Sequence, residues 1–320
     1  MEWKDIVPVL AGAIIILVVA FVVKPALLGE PLTAGSEPVA VRNPPVYAPP
    51  EPAATPTPYP GDGPAYTRNF RWTAIDGGVH TTVVRIPKAL FQEQRETPRL
   101  SDYHIWGRYA LADADRPILE DLARRIVPPT GNPEEAYLRL MNLVFFVQQI
   151  PYDTDDNTAC YIEGTLPPHA IYTMGGVEYP KYPAEMLVDG RGDCEDAAIL
   201  MGGLLDALGY DTVLLRYSDH MALGIRMNEF NPYYAAYSPR YFEYEGKHYY
   251  YVEGTDFEWE NVSEYTTAII GRPYPIGNTR DIPIPSVRSE TPEIIPLRYL
   301  PQPEEYRIRQ ARLPTASGGA

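Results

Sequence analysis

The uneven distribution of proline divides this 320-residue chain into segments of different character. Residues 29–66 hold 11 of the 35 prolines, and residues 271–320 hold nine more. Proline lacks the backbone N–H that helices and central strands need, so segments this rich in it are poor candidates for regular structure. We therefore predict a Pro-rich extended linker at 29–66, a folded domain at 67–270 and a Pro-rich wrapping or frayed tail at 271–320.

A long apolar run precedes the linker. Residues 6–23 carry no charge, and a helix of this length would span about 27 Å, close to the hydrocarbon core of a bilayer. The run is longer than that of a usual signal peptide, and Lys24-Pro25 follows it without a small-residue cleavage site. We predict that residues 1–28 form a single-pass anchor in the cell membrane and that the folded domain is extracytoplasmic. A cleaved signal peptide and a buried core helix are the alternatives.

Composition excludes several classes of function. The formal net charge is −15 and no basic cluster is visible, which argues against a nucleic-acid partner because phosphate binding needs a basic field. Two cysteines exclude a disulfide scaffold and a thiolate-only zinc site. The acidic run at 153–157 lacks the glycine and glutamate of an EF-hand, so solvated turn residues are predicted there. Cys160 and His169 are too isolated to suggest a metal site, and we expect no cofactor and no metal.

The hydrophobic pattern of the folded part predicts an α+β domain. Two alternating runs at 69–75 and 79–86, separated by Asp76-Gly77-Gly78, predict a β-hairpin. Helices are predicted at 88–96, 115–127, 133–149 and 194–208, and later strands at 212–217, 221–227 and 248–252. Helices that come first and antiparallel strands that follow are typical of this fold class.

One helix carries a cysteine at its start. Asp193 is a good N-cap residue, which places Cys194 in the first turn, where free N–H groups and the helix dipole favour a thiolate. The helix is apolar on several sides and should be central. The acidic neighbours Asp193, Glu195 and Asp196 oppose thiolate formation, unless Asp196 turns inward to hold a loop. A buried core cysteine is the alternative to a nucleophile.

Two downstream residues supply a base and a carboxylate. His220 begins one predicted strand and Glu253 ends another, and an antiparallel pairing 220–253, 222–251, 224–249 would put both on one face, about 5 Å apart at Cβ. A histidine backed by a carboxylate and presented to a helix-start cysteine is the triad arrangement of thiol nucleophiles. The alternatives are a structural histidine and a surface glutamate.

At this point the chain resembles a known family. The matching segments are Phe146-Val147-Gln148, Ile150-Pro151-Tyr152, Tyr182-Pro183-x-Glu185-x-Leu187, Gly192-Asp193-Cys194-Glu195-Asp196, Gly209-Tyr210-Asp211, His220-Met221-Ala222 and Tyr250-Tyr251-Val252-Glu253-Gly254-Thr255. Residues 147–255 are similar to the transglutaminase-like domain, a branch of the papain-related cysteine enzymes, in the version common in archaeal membrane-anchored proteins.

The resemblance implies a fold and a catalytic set. The fold is a papain-like core in which a central cysteine helix packs on an antiparallel sheet. The family's catalytic cysteine falls on Cys194 and its histidine on His220. The family's third catalytic residue is often the Asp of an Asp-Pro-Thr sequence, and this chain has Glu253-Gly254-Thr255 at that position. Asp256 is the alternative candidate for the third role. Gln148 could donate to an oxyanion, but a helix-end cap is favoured.

Two kinds of function follow. The first is a membrane-anchored cysteine enzyme that acts on amide or peptide bonds through a thioester. Water would resolve the thioester in a peptidase or amidase, and an amine would resolve it in a transglutaminase-type cross-linker; hydrolysis is favoured because it needs fewer special features. The expected partners are a peptide or protein substrate, or a cell-envelope polymer. The second function is a catalytically inactive envelope module for binding or scaffolding.

Overall fold

The computed structural model describes residues 63–173, 175–228, 230, 232, 237–255 and 274–298. These residues belong to one compact unit of the chain. The predicted anchor at residues 6–23, nearly all of the predicted linker, and Asp256 lie outside the described residues. Within the described ranges, no helix combines the length and apolar character needed to cross a bilayer.

A β-hairpin opens the described part of the chain. Strand β1, Ala65–Thr73, pairs antiparallel with strand β2, Val79–Pro87, so that Thr73 lies opposite Val79. In the turn, Gly77 has a φ of 80°, a left-handed conformation that glycine adopts without steric cost. The predicted hairpin is confirmed, although β1 begins at Ala65 and therefore inside the segment predicted as linker.

Helices follow the hairpin. They are α1 (Lys88–Arg95), α2 (Gly107–Ala110), α3 (Arg116–Ile126), α4 (Pro133–Gln148), α5 (Pro183–Asp189) and α6 (Cys194–Ala207). Proline occupies the first turn of α3, α4 and α5, where its missing N–H costs no hydrogen bond. At the start of α4, the Asn132 side chain accepts a hydrogen bond from the Glu134 N–H at 2.9 Å, as an N-cap residue does.

A five-stranded antiparallel sheet follows α6. Its strands are β5 (Thr212–Arg216), β6 (Met221–Arg226), β7 (Tyr241–Tyr244), β8 (Lys247–Val252) and β9 (Glu293–Pro296), in the order β7-β8-β6-β5-β9. A short hairpin, β3 (Ile171–Thr173) with β4 (Gly176–Glu178), precedes α5, and a short helix, α7 (Pro285–Ser289), precedes β9. The α+β class is therefore confirmed.

The sheet is covered on both faces. On one face, Leu223, Ile225 and Val252 share a core cluster with the buried side chains of α6. On the other face, Tyr251 packs in a second cluster with residues such as Ile282 and Val287 from the C-terminal segment. Burial on both faces explains why the central strands read as nearly continuous apolar runs.

The C-terminal segment completes this sheet. Residues 271–320 are predicted to lie outside the folded domain, whereas β9 pairs with β5, with Ile295 opposite Leu214. Prolines at positions 292 and 296 hide this strand in the sequence. They are tolerated because β9 is an edge strand, where a missing N–H costs no ladder hydrogen bond.

Candidate active site

The cysteine helix and the sheet together form a cavity that holds two of the predicted residues. Cys194 is the first residue of α6, and His220 immediately precedes β6. Both side chains line one cavity of about 380 Å³. Its other walls include Tyr103, Trp106, Ile171, Glu178, Arg216 and Met221. The structure therefore brings Cys194 and His220 to the same space, as the sequence predicted.

Glu253 backs the histidine. The His220 Nε2 atom lies 3.1 Å from Glu253 Oε2, and both side chains are buried. The Tyr251 hydroxyl also donates to Oε2, while the Thr255 N–H and the Gly254 N–H donate to Oε1 at 3.0 and 2.8 Å. Burial alone would raise the pKa of the Glu253 carboxyl, but His220 and these donors outweigh burial and lower its pKa. Glu253 is thus held as a carboxylate.

The strand register differs from the prediction by two residues. The predicted partner of residue 224 is residue 249, whereas Gly224 lies opposite Tyr251 and Arg226 lies opposite Tyr249. A shift of two residues preserves the face of every side chain because the strand period is two. His220 and Glu253 therefore stay on one face and meet as diagonal neighbours instead of a direct pair.

The Gln148 side chain hydrogen-bonds to the backbone of two other segments behind the His220–Glu253 pair. Its side-chain amide donates to the Glu253 and Tyr274 carbonyls, both at 2.9 Å, and its Oε1 accepts from the Tyr274 N–H at 2.8 Å. Gln148 is fully buried. It neither caps its own helix, as the favoured interpretation held, nor lines the cavity; instead it fixes the backbone of Glu253.

The surroundings of Cys194 favour the thiol over the thiolate. Its Sγ lies 3.3 Å from Glu195 Oε2, and a hydrogen bond from the Met221 backbone also reaches it. Burial, followed by the charges of Glu195 and Asp193, holds the pKa of the thiol well above its usual range. The start of a helix favours a thiolate, but at Cys194 this effect is outweighed by burial and by the acidic neighbours. A base must therefore remove the proton before the sulfur can attack.

Asp196 turns inward and holds a loop, one of the two arrangements considered for it. Its Oδ1 accepts from the Lys181 N–H at 2.7 Å, and its Oδ2 accepts from Lys181 Nζ at 2.6 Å. Lys181 is fully buried, and its Nζ also lies 3.0 Å from Cys160 Sγ and 3.5 Å from Asp155 Oδ1. Sequence reasoning missed this cation, although a lysine directly before the Tyr182-Pro183 motif was a usable signal.

Asp155 is part of the same cluster and corrects the prediction of solvated turn residues. Its side chain is only 2% exposed and accepts hydrogen bonds from the Tyr179 N–H and the Tyr161 hydroxyl. Burial, and then the charge of Asp196, raise the pKa of Asp155 to about 7. This burial is not visible in the sequence, because Asp155 lies among polar residues and its neighbours Asp156 and Asn157 are exposed.

Two sets of these carboxylates have the geometry to hold a metal ion. The first is Asp155, Glu178 and Glu195, and the second is Asp155, Asp193 and Asp196; within each set the ligand atoms lie within 4.8 Å of one another. Oxygen ligands of this kind suit hard cations. In the second set, the Lys181 ammonium already supplies a positive charge to two of the three carboxylates.

The chain matches no protein family and no curated protein in comparisons with known sequences.

Proposed function

We propose that this protein is a transglutaminase-like cysteine enzyme that acts on amide or peptide bonds through Cys194, His220 and Glu253. The observation that carries the proposal is the shared cavity: Cys194 and His220 line it together, and Glu253 holds the ring from behind at 3.1 Å. Three residues far apart in sequence thus have the placement of a nucleophile, a base and an orienting carboxylate: the first two line one cavity, and the third contacts the base.

The geometry supports a two-step mechanism. Because Glu253 engages Nε2 of His220, the ring would take the Cys194 proton through Nδ1. The sulfur then attacks the amide carbon and forms a C–S bond, while the Cys194 backbone N–H, at the helix start, stabilises the oxyanion. Collapse breaks the C–N bond, and the amine leaves with the proton held by His220. The remaining thioester is resolved by water, which restores the thiol and releases a carboxylic acid.

Hydrolysis is the favoured second step, because it requires no site for an acceptor amine. We further propose that residues 1–28 anchor the protein in the cell membrane as a single span and place the folded domain outside the cytoplasm. The substrate is then a peptide, a protein or a cell-envelope polymer.

Mass spectrometry of a peptide library tests this proposal. We expect the full-length wild-type protein to cleave a subset of peptides, the Cys194→Ala variant to be inactive, and the Cys160→Ala variant to retain activity. Cross-linked products instead of cleaved peptides would identify the protein as a transglutaminase-type transferase. Identical peptide profiles for wild type and Cys194→Ala would contradict the proposal.

A non-catalytic binding or scaffold module is the second candidate, favoured by the raised pKa of the Cys194 thiol. Alkylation with iodoacetamide at neutral pH separates the two. For an enzyme, we expect Cys194 to react well before Cys160, which is fully buried and whose pKa burial raises to about 12. His220→Ala should slow the reaction at Cys194. Equally slow labelling of both cysteines would support the scaffold.

A further inference from the structure

Arg216 places a guanidinium in the wall of the Cys194 cavity. It is the last residue of β5 and lies directly opposite Met221, the residue that follows His220. Its guanidinium carbon is 4.0 Å from the centre of the Tyr103 ring, another cavity wall. The charge therefore lies beside the residues proposed to act on the substrate.

No ion pair neutralises Arg216 within the part of the chain that the structure describes. By contrast, Arg226 at the far end of the neighbouring strand lies 3.6 Å from Asp211. The carboxylates of Glu178, Glu195 and Asp219 also line the cavity, and none of them forms an ion pair with Arg216. Arg216 is only partly buried, so its fork of donors is accessible to a ligand in the cavity.

A guanidinium stacked on an aromatic ring is suited to binding a carboxylate. The Tyr103 ring fixes the guanidinium plane, and a fixed planar fork binds a carboxylate through two parallel hydrogen bonds. Apolar walls such as Trp106, Ile171 and Met221 share the cavity with polar residues such as Ser218 and Asp219, and a charge-assisted contact is stronger at such a partly apolar site than in bulk water. A cavity of about 380 Å³ has room for one or two amino-acid side chains of a substrate.

We propose that Arg216 is a specificity-determining residue that binds a carboxylate of the acyl donor next to the scissile amide. This inference rests on the proposed cysteine chemistry and names its substrate class: acidic peptides. The carboxylate has two sources, an Asp or Glu side chain or the free carboxyl terminus of a peptide.

Two alkylating reagents of similar shape test the charge without any turnover. Iodoacetate and iodoacetamide both transfer a two-carbon group to sulfur with loss of iodide, but only iodoacetate carries a carboxylate. We expect Arg216→Gln to reduce the ratio of the iodoacetate rate to the iodoacetamide rate at Cys194 by about tenfold, the usual order for one charge-assisted bidentate contact. Arg108→Gln, an exposed arginine outside the cavity, is the matched control and should leave the ratio unchanged. An unchanged iodoacetamide rate in Arg216→Gln shows that the site has stayed folded. An unchanged ratio in that variant would overturn the proposal.

Peptide substrates distinguish the two sources of the carboxylate. Matched peptides would carry Glu or Gln beside the scissile bond, each with a free or an amidated carboxyl terminus. A preference for Glu that Arg216→Gln abolishes identifies the side chain, and a preference for the free terminus that the variant abolishes identifies the terminus. Cys194-dependent cleavage that is indifferent to both changes refutes the role of Arg216 but leaves the enzyme intact, whereas absence of any Cys194-dependent reaction refutes the enzyme itself.

Discussion

Glu253 is saturated with donors on both carboxylate oxygens, and one of these donors is the His220 ring. A buried carboxylate costs free energy unless it is paired, so this arrangement is maintained by its partners and not by the sheet alone. Because the folded-state pKa is lowered, the stabilisation is present above the ordinary glutamate pKa and is lost as the pH falls through the lowered value.

The variant Glu253→Gln tests this role at the scale of one residue. An amide keeps the size but removes the charge that orients and stabilises the imidazolium, so the rate of Cys194 alkylation at pH 7 should fall by about 10²-fold, the lower end for general base catalysis. The pH dependence of iodoacetamide labelling is the measurement. Tyr251→Phe removes one hydrogen-bond donor and leaves the carboxylate, so it should lower the rate of Cys194 alkylation far less. Equal effects of the two variants would mean that Glu253 acts only in packing.

At the scale of elements, the catalytic arrangement depends on how closely the end of β8 approaches α6. A Cβ built on Gly254 would lie 2.9 Å from the Ala197 Cβ and 3.2 Å from the Ala198 nitrogen. Contacts this short to helix backbone cannot be relieved by a side-chain rotation. Glycine at this position therefore sets the distance between Glu253, which directly follows β8, and the helix that carries Cys194.

Gly254→Ala should separate these two elements. We expect a loss of about 1–3 kcal/mol in the free energy of unfolding, as for other overpacked interiors, together with slower labelling of Cys194. Urea denaturation, monitored by circular dichroism, measures the free energy of unfolding. Gly131→Ala is the control, because no atom lies within 4 Å of the added Cβ. Similar stability for both variants would show that the contact is easily relieved.

At the scale of the whole molecule, a buried carboxyl links stability to pH. Asp115, at the start of α3, is fully buried and accepts a hydrogen bond from the Gln94 amide at 2.8 Å. It occupies the predicted N-cap position, but its side chain makes no capping hydrogen bond. Burial raises its pKa from 3.8 to about 7. A raised folded-state pKa means that the folded protein binds the proton more tightly than the unfolded chain, so stability falls as the pH rises from about 4 to about 7.

Asp115→Asn should remove this pH dependence. Wild type should lose about 2–3 kcal/mol of unfolding free energy between pH 5 and pH 8 through this group, whereas the variant should lose much less. Urea denaturation at the two pH values is the measurement. Asp113→Asn, at an exposed position two residues earlier, should behave like wild type. The same pH dependence in Asp115→Asn and wild type would contradict the assignment.

The sequence alone determined the local elements and the identity of the reactive candidates. Alternating residues on either side of Asp76-Gly77-Gly78 predicted the first hairpin, the apolar pattern predicted the cysteine helix, and periodicity two placed His220 and Glu253 on one face. These features depend on neighbours in sequence, through backbone conformation and side-chain alternation, so they can be seen without knowing the fold.

Only the tertiary structure decided what surrounds those residues. The two-residue register, the pairing of β9 with β5, the Lys181 cation and the Arg216 position all depend on segments distant in sequence. The same is true of the raised pKa of the Cys194 thiol, because burial and charge at a site are sums over everything packed near it. A register shift of two residues leaves every side chain on the same face of the sheet. His220 and Glu253 therefore contact each other as predicted, although the predicted strand register was wrong.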